Sequence, residues 1–257
     1  MKDIFELGYQ YLQNFGVESI RGSNYIIYSD KKIPEKHMHN YIEFRDDTYT
    51  FEDIKYYYEL RIKAKAGFAN YCVHGTFTLE KFKDILPYDH LEKIFCCEAD
   101  INFINNLKCN EDVIVKKVTK KEKKDLYDIL YETSKGYGKR YAVSNAKAIS
   151  NLATKPTTKV NYYLAYLQDK PIGKIEVSLV DEYIVTENFD ILPKYQRQGY
   201  GSTLWKQAIL DQKETNINKV MLSCAANDTP KEMYFRKGFK IIGEYSFIRK
   251  TIKRDRL

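Results

Sequence analysis

The sequence predicts a mixed α/β fold built in two parts. Three observations carry this expectation. Ile175, Val177 and Leu179 alternate with Lys174, Glu176 and Ser178, the two-residue period of a half-buried strand. Leu204, Trp205, Ala208 and Ile209 instead form an apolar stripe at helical spacing. The polar run Asn105-Asn106-Leu107-Lys108-Cys109-Asn110-Glu111-Asp112 reads as a linker or loop and divides residues 1–110 from 111–257.

In the first part a helix is expected over residues 3–14. Strands are expected near 18–28, 40–44, 69–74 and 94–101, with helices over 51–64 and 79–85. Thr78 is placed to cap the last of these. This is an α/β or α+β pattern with no recognisable chemistry.

The second part is clearer. A strand over 113–118 precedes helices over 121–132 and 142–153. A hairpin follows, 160–167 and 172–179, turning at Gln168-Asp169-Lys170-Pro171, and then a third strand over 183–191. A helix over 201–211, a strand over 219–224, a short helix and a strand over 240–249 complete the order β-α-α-β-β-β-α-β-α-β.

Composition limits the function classes. Hydrophobic residues are 44% and charged residues 30%, the balance of a soluble globular protein. No window approaches the roughly 18 consecutive apolar residues of a membrane span. The N-terminus reads as an amphipathic helix and not as a signal peptide. The five cysteines, Cys72, Cys96, Cys97, Cys109 and Cys224, form no C-x-x-C pair. Buried free thiols in a reducing cytoplasm are therefore expected, with neither disulfides nor a metal site. Net charge is +7. Residues 1–110 hold 14 basic and 17 acidic groups, and residues 111–257 hold 28 and 18, so the halves carry −3 and +10. The basic half could serve nucleic acid, an acidic substrate or a polyphosphate cofactor.

The residues that carry chemistry lie in two segments. Pro193-Lys194-Tyr195-Gln196-Arg197-Gln198-Gly199-Tyr200-Gly201 follows a strand and opens a helix. Helix N-termini expose unsatisfied N–H groups and partial positive charge, which suit a pyrophosphate. Gly199 and Gly201 lack side chains that would keep phosphate oxygens from the backbone, and Gln196 and Arg197 add donors. Leu204 stands where a dinucleotide-binding G-x-G-x-x-G needs its third glycine, and no G-K-[ST] follows. The second segment, Asn227 to Phe239, also follows a strand. Thr229 with Glu232 makes a capping box, Pro230 sits at the first helical position and Gly238 ends the helix.

Together the two segments resemble the acetyl-coenzyme A signature of the GCN5-related N-acetyltransferases (GNAT). Pro193, Gln196, Gly199 and Gly201 match Pro-x-x-(Arg/Gln)-x-x-Gly-x-(Gly/Ala), and Asn227, Tyr234, Gly238 and Phe239 match the second motif. Gln196 replaces the commoner arginine, and Pro230 stands where a small residue is usual. The resemblance covers roughly residues 111–250. It implies a GNAT-type mixed central sheet flanked by helices, and acetyl-CoA as the acyl donor. Backbone groups near Ile191 and Leu192 would bond the pantetheine arm. Gln196, Arg197, Gln198, Gly199, Tyr200 and Gly201 would hold the pyrophosphate, Asn227 would contact the cofactor, and Tyr234 would protonate the departing thiolate. For the base, Glu187 is favoured over Asp190. Their spacing of three puts them on opposite faces of a regular strand unless a bulge intervenes.

The implied function is transfer of an acetyl group from acetyl-CoA to a small-molecule or protein amine. The alternatives are a non-catalytic CoA-binding module and a tRNA-linked acyltransferase. No membrane partner is expected, nucleic acid is disfavoured, and a homodimer is compatible with the sequence. Residues 1–110 read either as a degenerate GNAT-like domain or as an unrelated accessory domain. Their opposite charge suggests a cleft that attracts a cationic amine, with residues 131–158, including Tyr137 and Tyr141, on its other side. His37 and His39 have no third ligand and are expected in a surface loop.

Overall fold

The computed structural model describes residues 3–45, 49–74, 79–228 and 230–253. The first half runs α1 (Ile4–Asn14), β1 (Glu18–Arg21), β2 (Tyr25–Ser29), β3 (Ile42–Phe44), α2 (Phe51–Lys63), β4 (Phe68–His74), α3 (Leu79–Ile85) and β5 (His90–Asp100). The second begins with β6 (Val113–Lys117) and α4 (Lys123–Ser134). It continues α5 (Lys139–Ala153), β7 (Val160–Leu167), β8 (Lys170–Val180), β9 (Tyr183–Ile191), α6 (Tyr200–Leu210), β10 (Lys219–Ala225), α7 (Pro230–Arg236) and β11 (Lys240–Thr251). Described termini are capped as their residues dictate: Asp3 accepts from the Glu6 amide, and Thr50 with Asp53 forms a capping box at α2. The caps proposed at Thr78 and Thr229 lie outside the described residues.

Among the described residues, eleven strands join one mixed sheet in the order β1-β2-β3-β4-β11-β5-β10-β9-β8-β7-β6. From α5 to β11 the element order repeats that from α1 to β5. The pairing repeats as well. In each half two antiparallel pairs lead to one parallel pair, β3 with β4 and β9 with β10. The last strand of each repeat crosses to the other. β5 pairs with β10, β11 pairs with β4, and β5 and β11 pair with each other. This palindromic order gives the fold an internal two-fold pseudosymmetry.

Helices cover both faces. On one, Phe5, Leu12 and Phe15 of α1 and Leu126, Ile149 and Ala153 of α4 and α5 share a core with strands of both halves. On the other, α2 packs over β4 through Ile54, Tyr57 and Tyr71, and α6 packs through Leu204, Trp205 and Ala208.

The structure corrects three sequence readings. The strand expected over 18–28 is a hairpin, because Gly22 turns the chain and the Tyr25 ring packs where a Cβ would lie, 2.7 Å away. Cys109 is exposed, while the other four thiols are buried and free. His37 and His39 form a short 3-10 turn that is not a surface loop. His39 is 2% exposed and its Nδ1 lies 2.8 Å from Asp30 Oδ2, and His37 packs edge-on against Phe68. The two halves share their sheet, with β11 between β4 and β5 of the first half. Residues 111–257 expressed alone are therefore expected to give no cooperative thermal transition, whereas the full chain gives one.

Candidate active site

The site is centred on a bulge in β9. Lys174 of β8 opposes Asp190 and Glu176 opposes Glu187, so two β9 residues fill the space of one, and Asn188 takes φ 48°. The bulge turns Glu187 and Asp190 to the same face of the sheet, the arrangement the spacing of three otherwise forbids. The Asn188 carbonyl and Asp190 Oδ2 accept from the buried Lys174 ammonium at 2.7 and 2.5 Å. This charge-assisted pairing pins the distorted strand.

Glu187 Oε1 accepts from the Ser223 backbone N–H of β10 at 2.7 Å. Burial, and then the nearby Glu176 carboxylate, push the Glu187 carboxyl up to about 8. Glu176 is buried and held by the hydroxyls of Tyr11 and Tyr162 and by Asn188 Nδ2. Tyr11 comes from α1, so the first half sets part of the field felt by Glu187. Sequence reasoning missed Lys174, Glu176, Asn188 and Tyr11. Only the even spacing of Lys174 and Glu176 on a mostly apolar strand hints at them.

Tyr234 lies on α7 and lines the same cleft as Glu187, Asp190 and Ser223. Its ring packs edge-on against Trp205 and Phe239, with centroids 5.8 and 5.9 Å away. Burial and the Glu187 carboxylate raise its phenol well above the usual value, so the proton is retained at neutral pH.

The phosphate-loop residues lie beside this centre. β9 and β10 pair over three residues only, ending at Val185 and Met221, and then part towards Glu187. Pro193–Tyr195 make a short turn, Arg197 and Gly199 take φ of 64° and 83°, and α6 starts at Tyr200. Among the described residues, the N–H groups of Arg197, Gln198, Gly199, Tyr200, Gly201 and Ser202 find no intramolecular acceptor. Asn227 is exposed, two residues beyond the end of β10. At the end of β9, the Ile191 carbonyl accepts from Gln196 Nε2 at 2.8 Å, and the Leu192 N–H donates to Ile172. The Leu192 amide is therefore already engaged.

The two glycines serve packing as well as approach. A Cβ on Gly199 would lie 3.3 Å from the Lys108 carbonyl and the Asn110 Cβ, and one on Gly201 would lie 3.1 Å from the Phe189 ring. The expected linker is thus clamped to the loop. The Asn110 N–H donates to Thr203 Oγ1 at 2.8 Å, and Asn110 Nδ2 donates to the Gln198 carbonyl at 3.0 Å. Gly199→Asp is expected to abolish the rise in melting temperature given by CoA, because it places a carboxylate in the loop. It also costs roughly 1–2 kcal/mol of stability from the left-handed backbone, so its CoA-free melting temperature must be measured alongside.

A cleft of about 1530 Å³ joins Glu187, Asp190, Ser223 and Tyr234 to the first half. Its walls include Tyr137 and Tyr141 from the α4–α5 region and Lys36, His37 and Arg61 from the first half. The charge of this wall departs from the net charge of residues 1–110. Lys31, Lys36, Arg61 and Lys65 face the cleft against only Asp30 and Glu35. Two acids of the first half pair with cations of the second, Glu35 of the cleft wall with Arg140 (2.7 Å) and Asp89 with Lys250 (3.3 Å). Among the described residues, no helix is long and apolar enough to cross a membrane.

Comparison with known proteins bears on this geometry. Residues 158–241 match the model of the acetyltransferase (GNAT) domain. No curated protein sequence matches the chain. A functionally unknown conserved protein from Staphylococcus epidermidis is similar over 93% of this chain and 96% of its own, at 20% identity and a TM-score of 0.77. A GCN5-related N-acetyltransferase from Kribbella flavida is similar over 96% and 95%, at 9% identity and a TM-score of 0.65. A tandem GNAT protein from the clavulanic acid biosynthesis pathway is similar over 90% and 81%, at 9% identity and a TM-score of 0.56. These likenesses extend the fold assignment to the first half. Residues 158–241 therefore carry a GNAT acetyltransferase domain, and the likenesses show a GNAT-type fold across both halves.

Proposed function

We propose that the protein transfers an acetyl group from acetyl-CoA to an amine bound in the cleft between the two halves. We also propose the chain division near residue 110, with residues 1–110 supplying one wall of the acceptor site. The observation that carries the reading is the pairing of Glu187 and Tyr234 in one cleft, with their proton affinities displaced in ways that suit base and acid.

The residues fit the donor. Unsatisfied N–H groups at the start of α6 suit a pyrophosphate, Gln196, Arg197 and Gln198 can add contacts, and the parting of β9 from β10 after Val185 and Met221 leaves an edge for an extended amide-bearing arm. Asn227, exposed just beyond β10, would contact that arm. Acetyl-CoA, when bound, supplies an acetyl thioester.

Glu187 takes a proton from the acceptor ammonium. A carboxylate titrating near 8 is a far stronger base than an ordinary one, and remains ionised in a useful fraction near neutrality. The neutral amine then forms the new C–N bond at the thioester carbonyl, and its nitrogen loses a second proton to solvent as the tetrahedral adduct collapses. Tyr234 holds its proton until the C–S bond breaks and delivers it to the sulfur. The phenol regains a proton from solvent, and Glu187 releases the one it took. The reaction thus yields an amide, a thiol and one net proton. Lys174 and Glu176 are positioning residues. The first fixes the bulge, and the second raises the proton affinity of Glu187.

The test is release of CoA thiol from acetyl-CoA against a panel of amines. Acetyl-CoA consumption that depends on an amine, with the acetamide detected by mass, is expected. Tight CoA binding without turnover on any amine would favour the non-catalytic reading.

A further inference from the structure

The first-half wall of the cleft holds cations that acetyl transfer does not use. Arg61, at the end of α2, is 6% exposed. Its Nε donates to the Phe68 carbonyl at 3.1 Å, its guanidinium lies 4.9 Å from the Phe68 ring centroid, and its Nη2 has no hydrogen-bond partner. Arg249 of β11 meets only the ring of His37, through Nη1 and Nδ1. Arg61, Arg249, His37 and Lys65 all line the cleft.

Among the described residues no carboxylate pairs with either arginine. The nearest acids are engaged elsewhere. Asp89 accepts from the Thr251 N–H at 2.6 Å and pairs with Lys250, and Glu92 lies 3.8 Å from His90. His37 offers no negative charge. Burial and the charges of Arg249, His90 and Arg61 hold it down at about 4, so it is neutral at physiological pH. A buried guanidinium left without a partner is costly, and such groups are ordinarily paired. Guanidinium groups match carboxylate and phosphate oxygens in geometry and charge.

We propose that Arg61 and Arg249 form an anion subsite in the same cleft as Glu187, so that the acceptor is an amine that also carries a carboxylate or a phosphate. This rests on the acetyl-transfer reading for the amine end and on the arginine cluster alone for the anionic end. The cleft volume exceeds the roughly 300–1,000 Å³ of a typical small-ligand pocket, which leaves room for an acceptor with separated amine and anion.

The experiment uses the full chain and two matched pairs of amines. These are 6-aminohexanoate with 6-aminohexanamide, and O-phosphoethanolamine with ethanolamine. In each pair the anionic member is expected to have the higher kcat/KM, and the pair with the larger ratio identifies carboxylate or phosphate as the preferred anion. Arg249→Gln is expected to raise KM for the anionic member roughly 10–100-fold, the loss of one charged hydrogen-bonding group. The neutral member should shift far less. Arg61→Lys, which keeps the charge but loses the fork, should lie between. Retention of the CoA-dependent rise in melting temperature confirms that each variant is folded. Equal use of both members, or equal loss on both in Arg249→Gln, overturns the proposal.

A direct arm separates the two readings. Calorimetry with 6-acetamidohexanoate and acetyl phosphate, at saturating CoA, reports the anion subsite without turnover. Binding that weakens in Arg249→Gln while no amine is acetylated would leave the subsite standing and remove the transferase reading. Acetylation without such binding and without discrimination within the pairs would do the reverse.

Discussion

Replacing Glu187 with glutamine is expected to lower kcat/KM about 10²–10⁴-fold, the usual worth of a general base. The side chain keeps its size and can still accept from the Ser223 N–H, so the loss reports proton transfer and not collapse of the β9–β10 gap. In the wild type, kcat/KM should rise with pH and level off above about 8, because the base must be ionised. That limb should vanish in the variant. A limb that stays near the same pH in Glu187→Gln would assign the base to another group, with Asp190 the first alternative.

Stability should move the opposite way. Unfolded, the Glu187 carboxyl titrates near 4.5, and folded it titrates near 8. Between those values folding takes up a proton, so stability falls as pH rises through that window and stays at the lower level above it. Glutamine carries no such loss. Glu187→Gln should therefore melt at a higher temperature than wild type at pH 9 and at a similar one at pH 4. Lower activity with higher alkaline stability is the signature of a strained functional group, and a merely structural carboxylate would not give it.

Tyr234→Phe is expected to lower the rate of the chemical step about 10²-fold, at the low end of general acid catalysis. The ring contacts with Trp205 and Phe239 survive, so CoA affinity and melting temperature should change little. Single-turnover measurement is the proper readout, since slow product release could hide the step. A thioester of a more acidic thiol should narrow the deficit, because its leaving group needs the proton less. A deficit independent of leaving-group acidity would remove Tyr234 from that role. An alkaline limb set by this phenol should lie above the ordinary tyrosine value of about 10, since burial raises it.

Much of the second half was legible because its information is local. The stripe of α6 follows from the period of a helix, and the strands over 160–167 and 183–191 have the expected bounds. β8 is a strand as expected, but it is not half-buried, because Lys174, Glu176 and Ser178 are enclosed and Leu179 is exposed. Gln196, Gly199, Gly201, Asn227 and Tyr234 were singled out as candidates by spacing within two short segments, each tied to one helix start. The boundaries of α6 and β10 were read to within a residue for the same reason.

The sequence by itself determined the fold of the second half, the two motif segments and the choice of Glu187 and Asp190 as carboxylates of interest. Tertiary structure alone decided the rest. The bulge at Asn188 depends on Lys174 across the ladder, so one strand's spacing could not place Glu187 and Asp190 on one face. The proton affinity of Glu187 depends on Glu176 and on enclosure by the first half, which are long-range effects with no period. The crossing of β5 and β11 is a choice of partner between strands more than a hundred residues apart, which local pattern does not encode. Net charge pointed to an acidic first-half wall, yet the cleft faces Arg61, Lys36 and Lys65, because a half's charge sums its whole surface and a ligand meets only the side chains turned towards it.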